Sequence, residues 1–132
     1  MEIERKYLID TLPEDYQDYP CRHIEQAYLN TDPVIRIRKD NNKHELTYKS
    51  KGLMAREEYN LPLTAEGYEH LRPKADGLLI TKKRYCIPFG TYTIELDIFE
   101  GELAPLILAE VEFPSEDEAN SFTPPEWFTE DV

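Results

Sequence analysis

No run of about 18 apolar residues occurs anywhere in this chain, and charged side chains begin at Glu2, so neither a membrane-spanning helix nor a secretory leader is expected. Cysteine is scarce. Cys21 and Cys86 stand alone, without CxxC or metal-ligand spacing, and read as unreactive thiols in a reducing compartment, the cytoplasm. The five glycines do not cluster, and G-x-x-x-x-G-K-[ST] is absent, which excludes a P-loop. Positive charge is also short: 15 Lys and Arg face 27 Asp and Glu, a net charge of −12. That balance argues against nucleic acid and anionic membrane as partners, since both require a basic surface. His23, His44 and His70 follow no ligand pattern and read as surface or core residues.

What is present is a single domain of 132 residues with enough apolar content, 40%, to fold around a core. Apolar and polar residues alternate with period two near 2–9, 23–30, 34–39, 43–50, 55–61, 78–87, 91–99 and 106–113, predicting eight strands. Asp32-Pro33, Asp40-Asn41-Asn42, Lys51-Gly52, Phe89-Gly90 and Ala104-Pro105 supply turn chemistry between them. Thr64 is placed to cap a short helix over TAEGYEHLR. Ser115 and Glu118 form the pattern of a capping box at SEDEANSF, and TLPEDYQDY holds a further helix or turn.

The strand faces carry the information. Side chains on a strand point to alternate sides, so Glu2, Glu4 and Lys6 share one face of the first strand. The same face collects Arg36 and Arg38, Lys49 and Lys51, Arg56 with Glu58 and Asn60, Lys82 and Arg84, Glu95 and Asp97, and Glu110 and Glu112. More than half of the 15 Lys and Arg therefore lie on one periodic face of an acidic molecule. One such strand alone reads as a solvent-facing side with cross-strand ion pairs. Seven of eight together read as the ionic interior of a closed barrel, with a polyanion and metal ions filling it.

These residues carry a family resemblance in chain order. Glu2-x-Glu4-x-Lys6 resembles the opening signature of the triphosphate tunnel metalloenzymes, the CYTH superfamily. Gln26-Ala27-Tyr28-Leu29 is similar to its Q-G-Y-L strand, with Ala for Gly. Arg36-Ile37-Arg38 resembles its paired-arginine strand, Thr47-Tyr48-Lys49 its T-x-K, Arg56-Glu57-Glu58-Tyr59 its R-x-E-[FY], and Lys82-Lys83-Arg84-Tyr85 its K-x-R-Y. Glu95-Leu96-Asp97 and Glu110-Val111-Glu112 are similar to its two acidic strands, and Pro125-Glu126-Trp127 to its P-x-W. Asn60 stands where many members have Glu, and the chain ends at Val132 where relatives usually continue into a tail.

The resemblance implies a mostly β (α+β) fold over 1–132: an eight-stranded antiparallel closed β-barrel, a tunnel with a few short flanking helices. It further implies metal-dependent hydrolysis of inorganic triphosphate (tripolyphosphate) to pyrophosphate and phosphate. Thiamine triphosphatase, adenylate cyclase and a non-catalytic polyphosphate- or nucleotide-binding module are the alternatives. Lys6, Arg36, Arg38, Lys49, Lys51, Arg56, Lys82 and Arg84 are the expected phosphate ligands, Lys51 beside a turn the least secure of them. Glu2, Glu4, Glu110, Glu112, Asp97 and Glu95 are expected to hold Mg²⁺ or Mn²⁺, as hard oxygen donors. Glu4, Lys6, Lys82 and Glu58 are the expected catalytic residues. The implied partner is a small polyanion, tripolyphosphate or an organic triphosphate, with no nucleic acid and no membrane, and a homodimer is left open.

Overall fold

The computed structural model describes residues 1–52 and 54–132. Its strands are β1 (Glu2–Leu8), β2 (Cys21–Thr31), β3 (Val34–Asp40), β4 (Lys43–Lys49), β5 (Ala55–Arg56), β6 (Glu58–Leu63), β7 (Asp76–Phe89), β8 (Tyr92–Phe99), β9 (Ile107–Glu112) and β10 (Glu130–Asp131). Two short helices, α1 (Ala65–Leu71) and α2 (Glu116–Ser121), lie among them. The sheet runs β10-β1-β9-β8-β7-β2-β3-β4-β6, and β5 pairs with the start of β1 on the edge whose far end takes β10. All pairings are antiparallel.

The expected strand at 55–61 is one wall strand broken at Glu57. Glu57 donates its N–H to Ser50 Oγ (2.9 Å) and accepts from Ser50 N–H (3.0 Å), which interrupts the ladder. Counting β5 and β6 together gives eight wall strands. The circuit closes where Glu2 pairs with Arg56 and Ile3 with Ala55. A tight approach at Gly52 brings the chain into that seam: its φ is +142°, and a Cβ there would lie 2.4 Å from the Ala55 carbonyl.

Both helices start where capping chemistry predicts. Thr64 Oγ1 accepts from Gly67 N–H (2.9 Å), and Ser115 Oγ accepts from Glu118 N–H (3.2 Å). The capping box stays half made, because the Glu118 carboxylate accepts from Tyr92 OH at 2.6 Å. The segment before β2 holds a single 3₁₀ turn, Tyr16–Asp18.

The hydrophobic core lies outside the barrel. Ile3, Tyr7, Tyr85, Ile87, Ile94, Leu96, Ala109 and Val111 point outward from the wall and are covered by Phe113, Ala119, Phe122, Trp127 and Phe128. On the opposite flank α1 lays Tyr68 over Ala27 and Ile37. Burying this outer face provides the apolar stabilisation that an ionic interior cannot. Arg5 ties the C-terminal part down, donating to the Ala119 carbonyl (2.8 Å) and to Asp131 (2.6 Å). Cys21 and Cys86 are both free thiols.

Candidate functional site

The inward face of the wall encloses a cavity of about 390 Å³. Glu2, Glu4 and Lys6 from β1 line it, with Arg36 and Arg38, Lys49, Arg56, Glu58 and Asn60 from the next strands. Lys82, Arg84, Glu95, Glu110 and Glu112 complete the predicted set. Period-two alternation thus brings residues more than 100 positions apart into one chamber.

Two of the expected residues are not on its surface. Lys51 lies past the end of β4, with 82% of its side chain exposed, and pairs with Asp32 at 3.6 Å on the outside. Asp97, expected among the metal ligands, has no solvent exposure and lies beneath the lining of the chamber. Its Oδ1 takes Arg84 Nε at 2.7 Å; its Oδ2 takes Arg84 Nη2 at 2.8 Å and Lys82 Nζ at 2.7 Å. With both oxygens held by cations, Asp97 is the anchor beneath two bases rather than a free ligand.

Arg22, Gln26, Tyr28, Asp40, Lys43 and Glu45 also line the chamber and were missed. Asp40 continues the period of Arg36 and Arg38. Lys43 and Glu45 continue that of Lys49. Extending each alternation to the strand end would have found them. Arg22 lay outside the expected strand, which starts two residues earlier, at Cys21.

The charges are sorted by wall. In the circuit, β8, β9, β1 and β5/β6 are contiguous, and so are β7, β2, β3 and β4. The first half carries Glu95, Glu110, Glu112, Glu2, Glu4 and Glu58, joined by Lys6 and Arg56. The second carries Lys82, Arg84, Arg22, Arg36, Arg38, Lys43 and Lys49, joined by Asp40 and Glu45. β9 stands opposite β3, so Glu110 and Glu112 lie across the chamber from Arg36 and Arg38.

The bases differ in how far they are already engaged. Lys49 Nζ lies 2.9 Å from Glu2 and 3.4 Å from Glu58, and Arg56 lies 3.6 Å from Glu2 and 3.9 Å from Glu4. Lys82 and Arg84 rest on Asp97. Arg36 and Arg38 are different: among the described residues neither forms an ion pair with a carboxylate. Arg36 donates to Thr47 Oγ1 at 3.4 Å, and its buried Nε has no partner. Arg38 donates to Gln26 Oε1 through Nε (3.0 Å) and Nη2 (2.7 Å). Burial, with Arg36 and Arg84 beside it, pulls the Arg38 pKa down to about 10. Burial also lowers Lys82 to about 8, helped by Arg84 and opposed by Asp97.

The acidic wall is short of cations. Burial pushes Glu2 up to about 7, helped by Glu58 and Glu4 and opposed by Lys49. Glu58 stays at about 2: burial acts upward, but hydrogen bonding from Glu2 and Asn60, and the Lys49 charge, outweigh it. Glu4 is raised by burial and then by Glu110. Glu110 is held at about 2 by Arg84, Lys82 and Lys6 against its burial. Glu112 is raised by burial, then by Glu58 and Glu95. Each raised carboxyl thus stands beside a lowered one, Glu2 beside Glu58 and Glu4 beside Glu110, which favours the proton on Glu2 and on Glu4. Glu2 Oε1 is buried against Lys49 Nζ at 2.9 Å, whereas Glu4 Oε1 is buried with only the longer ion pairs to Lys6 at 3.6 Å and Arg56 at 3.9 Å and accepts no hydrogen bond among the described residues.

Clustered acids that outnumber the bases on their wall, with Glu4 Oε1 lacking a hydrogen bond, fit a hard divalent cation. Among the described residues no three acidic, His or Cys side chains already converge on one point. Mg²⁺ takes one or two carboxylates and completes its shell with water and phosphate oxygens.

A family model for the CYTH domain matches residues 1–131. The chain belongs to the CYTH family. It is 42% identical over 137 residues to the inorganic triphosphatase of Nitrosomonas europaea, covering 99% of this chain and 88% of that protein. It is 34% identical to the inorganic triphosphatase of Acetivibrio thermocellus, over 99% of this chain and 85% of that one. The crystal structure of the inorganic triphosphatase NE1496 superposes with a TM-score of 0.71 at 38% identity, covering 100% of this chain and 86% of that chain. A conserved hypothetical protein from Pyrococcus furiosus, 21% identical over 92% of this chain and 85% of its own, shares the CYTH fold with a TM-score of 0.69. No helix among the described residues is long and apolar enough to cross a membrane.

Proposed function

We propose that this protein hydrolyses inorganic triphosphate to pyrophosphate and phosphate inside the tunnel, with Mg²⁺ or Mn²⁺. One observation carries the reading: two guanidiniums without carboxylate partners, the buried Arg36 and the half-buried Arg38, face a wall of carboxylates without enough cations. A polyanion satisfies the first wall and a divalent cation the second. Triphosphatases of this family are generally metal-dependent, and two curated relatives are inorganic triphosphatases.

Arg36 and Arg38 grip phosphate oxygens with paired N–H donors. At 4 Å and an effective dielectric of ~20, each cation gives about 4 kcal/mol of gross attraction, from which desolvation is subtracted. Lys6, Lys49, Arg56, Lys82 and Arg84 surround the rest of the chain of phosphates. Glu2, Glu4, Glu110 and Glu112 hold the cation, with Glu95 at the edge of the set, already committed to Arg84 at 3.2 Å and Arg22 at 3.4 Å. A cation held there supplies charge neutralisation on the phosphoryl oxygens and acidifies bound water. Glu4 and Glu58 orient the attacking water and accept its proton. Lys82 stabilises the departing phosphate oxygen. The small, almost wholly charged chamber supports an inorganic substrate over thiamine triphosphate or a nucleotide.

The test is phosphate release from inorganic triphosphate, pyrophosphate, ATP and thiamine triphosphate, with Mg²⁺, Mn²⁺ or EDTA. Metal-dependent release from inorganic triphosphate well above the others is expected. Absence of turnover with tight binding of triphosphate would replace the enzyme by a binding module.

A further inference from the structure

Gln26 is the direct cross-strand neighbour of Arg38 and is 4% exposed. Its amide oxygen accepts both Nε–H and Nη2–H of that guanidinium, at 3.0 and 2.7 Å. Its amide nitrogen donates to Tyr28 OH at 3.4 Å, and because a guanidinium only donates, the oxygen is the end that faces the arginine. On the neighbouring strand Thr47, with no exposure, accepts from Arg36 Nη2 and donates to Asn60 Oδ1 at 2.6 Å. The two arginines without carboxylates are thus the two held by uncharged acceptors. The other buried bases, Lys49, Lys82 and Arg84, are held by acids.

We propose that Gln26 is a positioning residue: its neutral amide fixes the plane of the Arg38 guanidinium while leaving its charge to the phosphate chain. An acceptor is required there, because a buried guanidinium without one is costly and free to turn. A carboxylate would hold the same edge more tightly and cancel the charge. A neutral acceptor separates the two demands, orientation and charge. Thr47 does the same for Arg36 with a longer bond. This inference rests on triphosphate binding in the chamber, so the wild-type protein serves as the control for that reading.

The test compares steady-state kinetics on inorganic triphosphate with Mg²⁺, together with Tm, for wild type, Gln26→Glu, Gln26→Met and the exposed-surface control Gln17→Glu. Gln26→Glu is expected to raise KM by at least about tenfold, with kcat within about threefold and Tm unchanged or higher. Gln26→Met, which keeps the volume and removes the acceptor, raises KM several-fold with a lower Tm. Gln17→Glu matches wild type. A Gln26→Glu KM within twofold of wild type, or a loss confined to kcat, overturns the proposal. Should Gln26→Glu fail to fold, an unchanged KM in Gln26→Met overturns it instead. If wild type itself neither binds inorganic triphosphate by calorimetry nor turns it over, the triphosphate reading has failed rather than the role of Gln26.

Discussion

The Lys82 ammonium lies 2.7 Å from Asp97 Oδ2, a carboxylate with no solvent exposure that also receives two hydrogen bonds from Arg84. Two cations of the phosphate-binding wall are therefore held in place by one acid behind them. Asp97→Asn leaves Lys82 buried without its counter-ion and Arg84 with only Glu95 at 3.2 Å and Glu110 at 3.8 Å. Loss of about 3–5 kcal/mol follows from breaking a buried ionic cluster on one side, read as a Tm lower by roughly 10–20 °C. An unchanged Tm would show that Lys82 and Arg84 are anchored elsewhere.

In the proposed complex Arg36 and Arg38 take the phosphate chain with planar forks, which lysine cannot reproduce. Arg38→Lys keeps the charge and loses the paired donors. A KM for inorganic triphosphate raised by about tenfold or more is expected, with the same direction for Arg36→Lys. Equal kinetics in either variant would mean that charge alone is used there.

Glu4→Gln removes a proposed cation ligand whose buried Oε1 accepts no hydrogen bond among the described residues and has Lys6 at 3.6 Å. Triphosphatase activity should fall by about two orders of magnitude or more, and the stabilisation by Mg²⁺ should shrink. The metal-free variant keeps or gains stability, because a desolvated carboxyl raised by burial and by Glu110 is replaced with a neutral amide. Retained metal-dependent activity would remove Glu4 from the cation site.

Cation binding is expected to grow stronger with rising pH. In the metal-free fold Glu2 titrates at about 7, above its ordinary 4.5. A raised carboxyl contributes stability below its unfolded value and loses that contribution as pH rises through about 7. A divalent cation takes the place of the proton. The Mg²⁺-induced rise in Tm should therefore increase from about pH 6 to about pH 8 and then level. Glu2→Gln should flatten this dependence. A metal effect that is independent of pH would contradict the proton-sharing account.

The interior of the barrel was legible because strand alternation is strict: a residue two positions on returns to the same side. That placed Glu2, Glu4 and Lys6 beside Glu110 and Glu112, although more than 100 residues separate them. Periodicity does not report depth. Asp97 shares the face of Glu95, yet Arg84 and Lys82 close over it, and only the packing of neighbouring strands decides that. Nor does alternation say where a strand stops. Lys51 keeps the parity of Lys49, but the ladder ends at Lys49 and the chain turns outward through Gly52.

The two-half sorting of charge was partly visible, since bases and acids fall on different strands. The order of the strands around the circuit set which wall faces which, and that depends on pairings far apart in sequence. The break at Glu57 came from a side-chain bond to Ser50 that no local propensity signals. The exclusion of Arg22 followed from a strand boundary set two residues late.

Phosphate and cation are expected on opposite walls of one chamber. A crystal structure with inorganic triphosphate and Mn²⁺, phased to show the manganese anomalous signal, tests it most directly. The account predicts phosphate density against Arg36 and Arg38, and a manganese peak against Glu2, Glu4, Glu110 and Glu112. Triphosphate bound outside the barrel, or manganese away from that carboxylate wall, would contradict it.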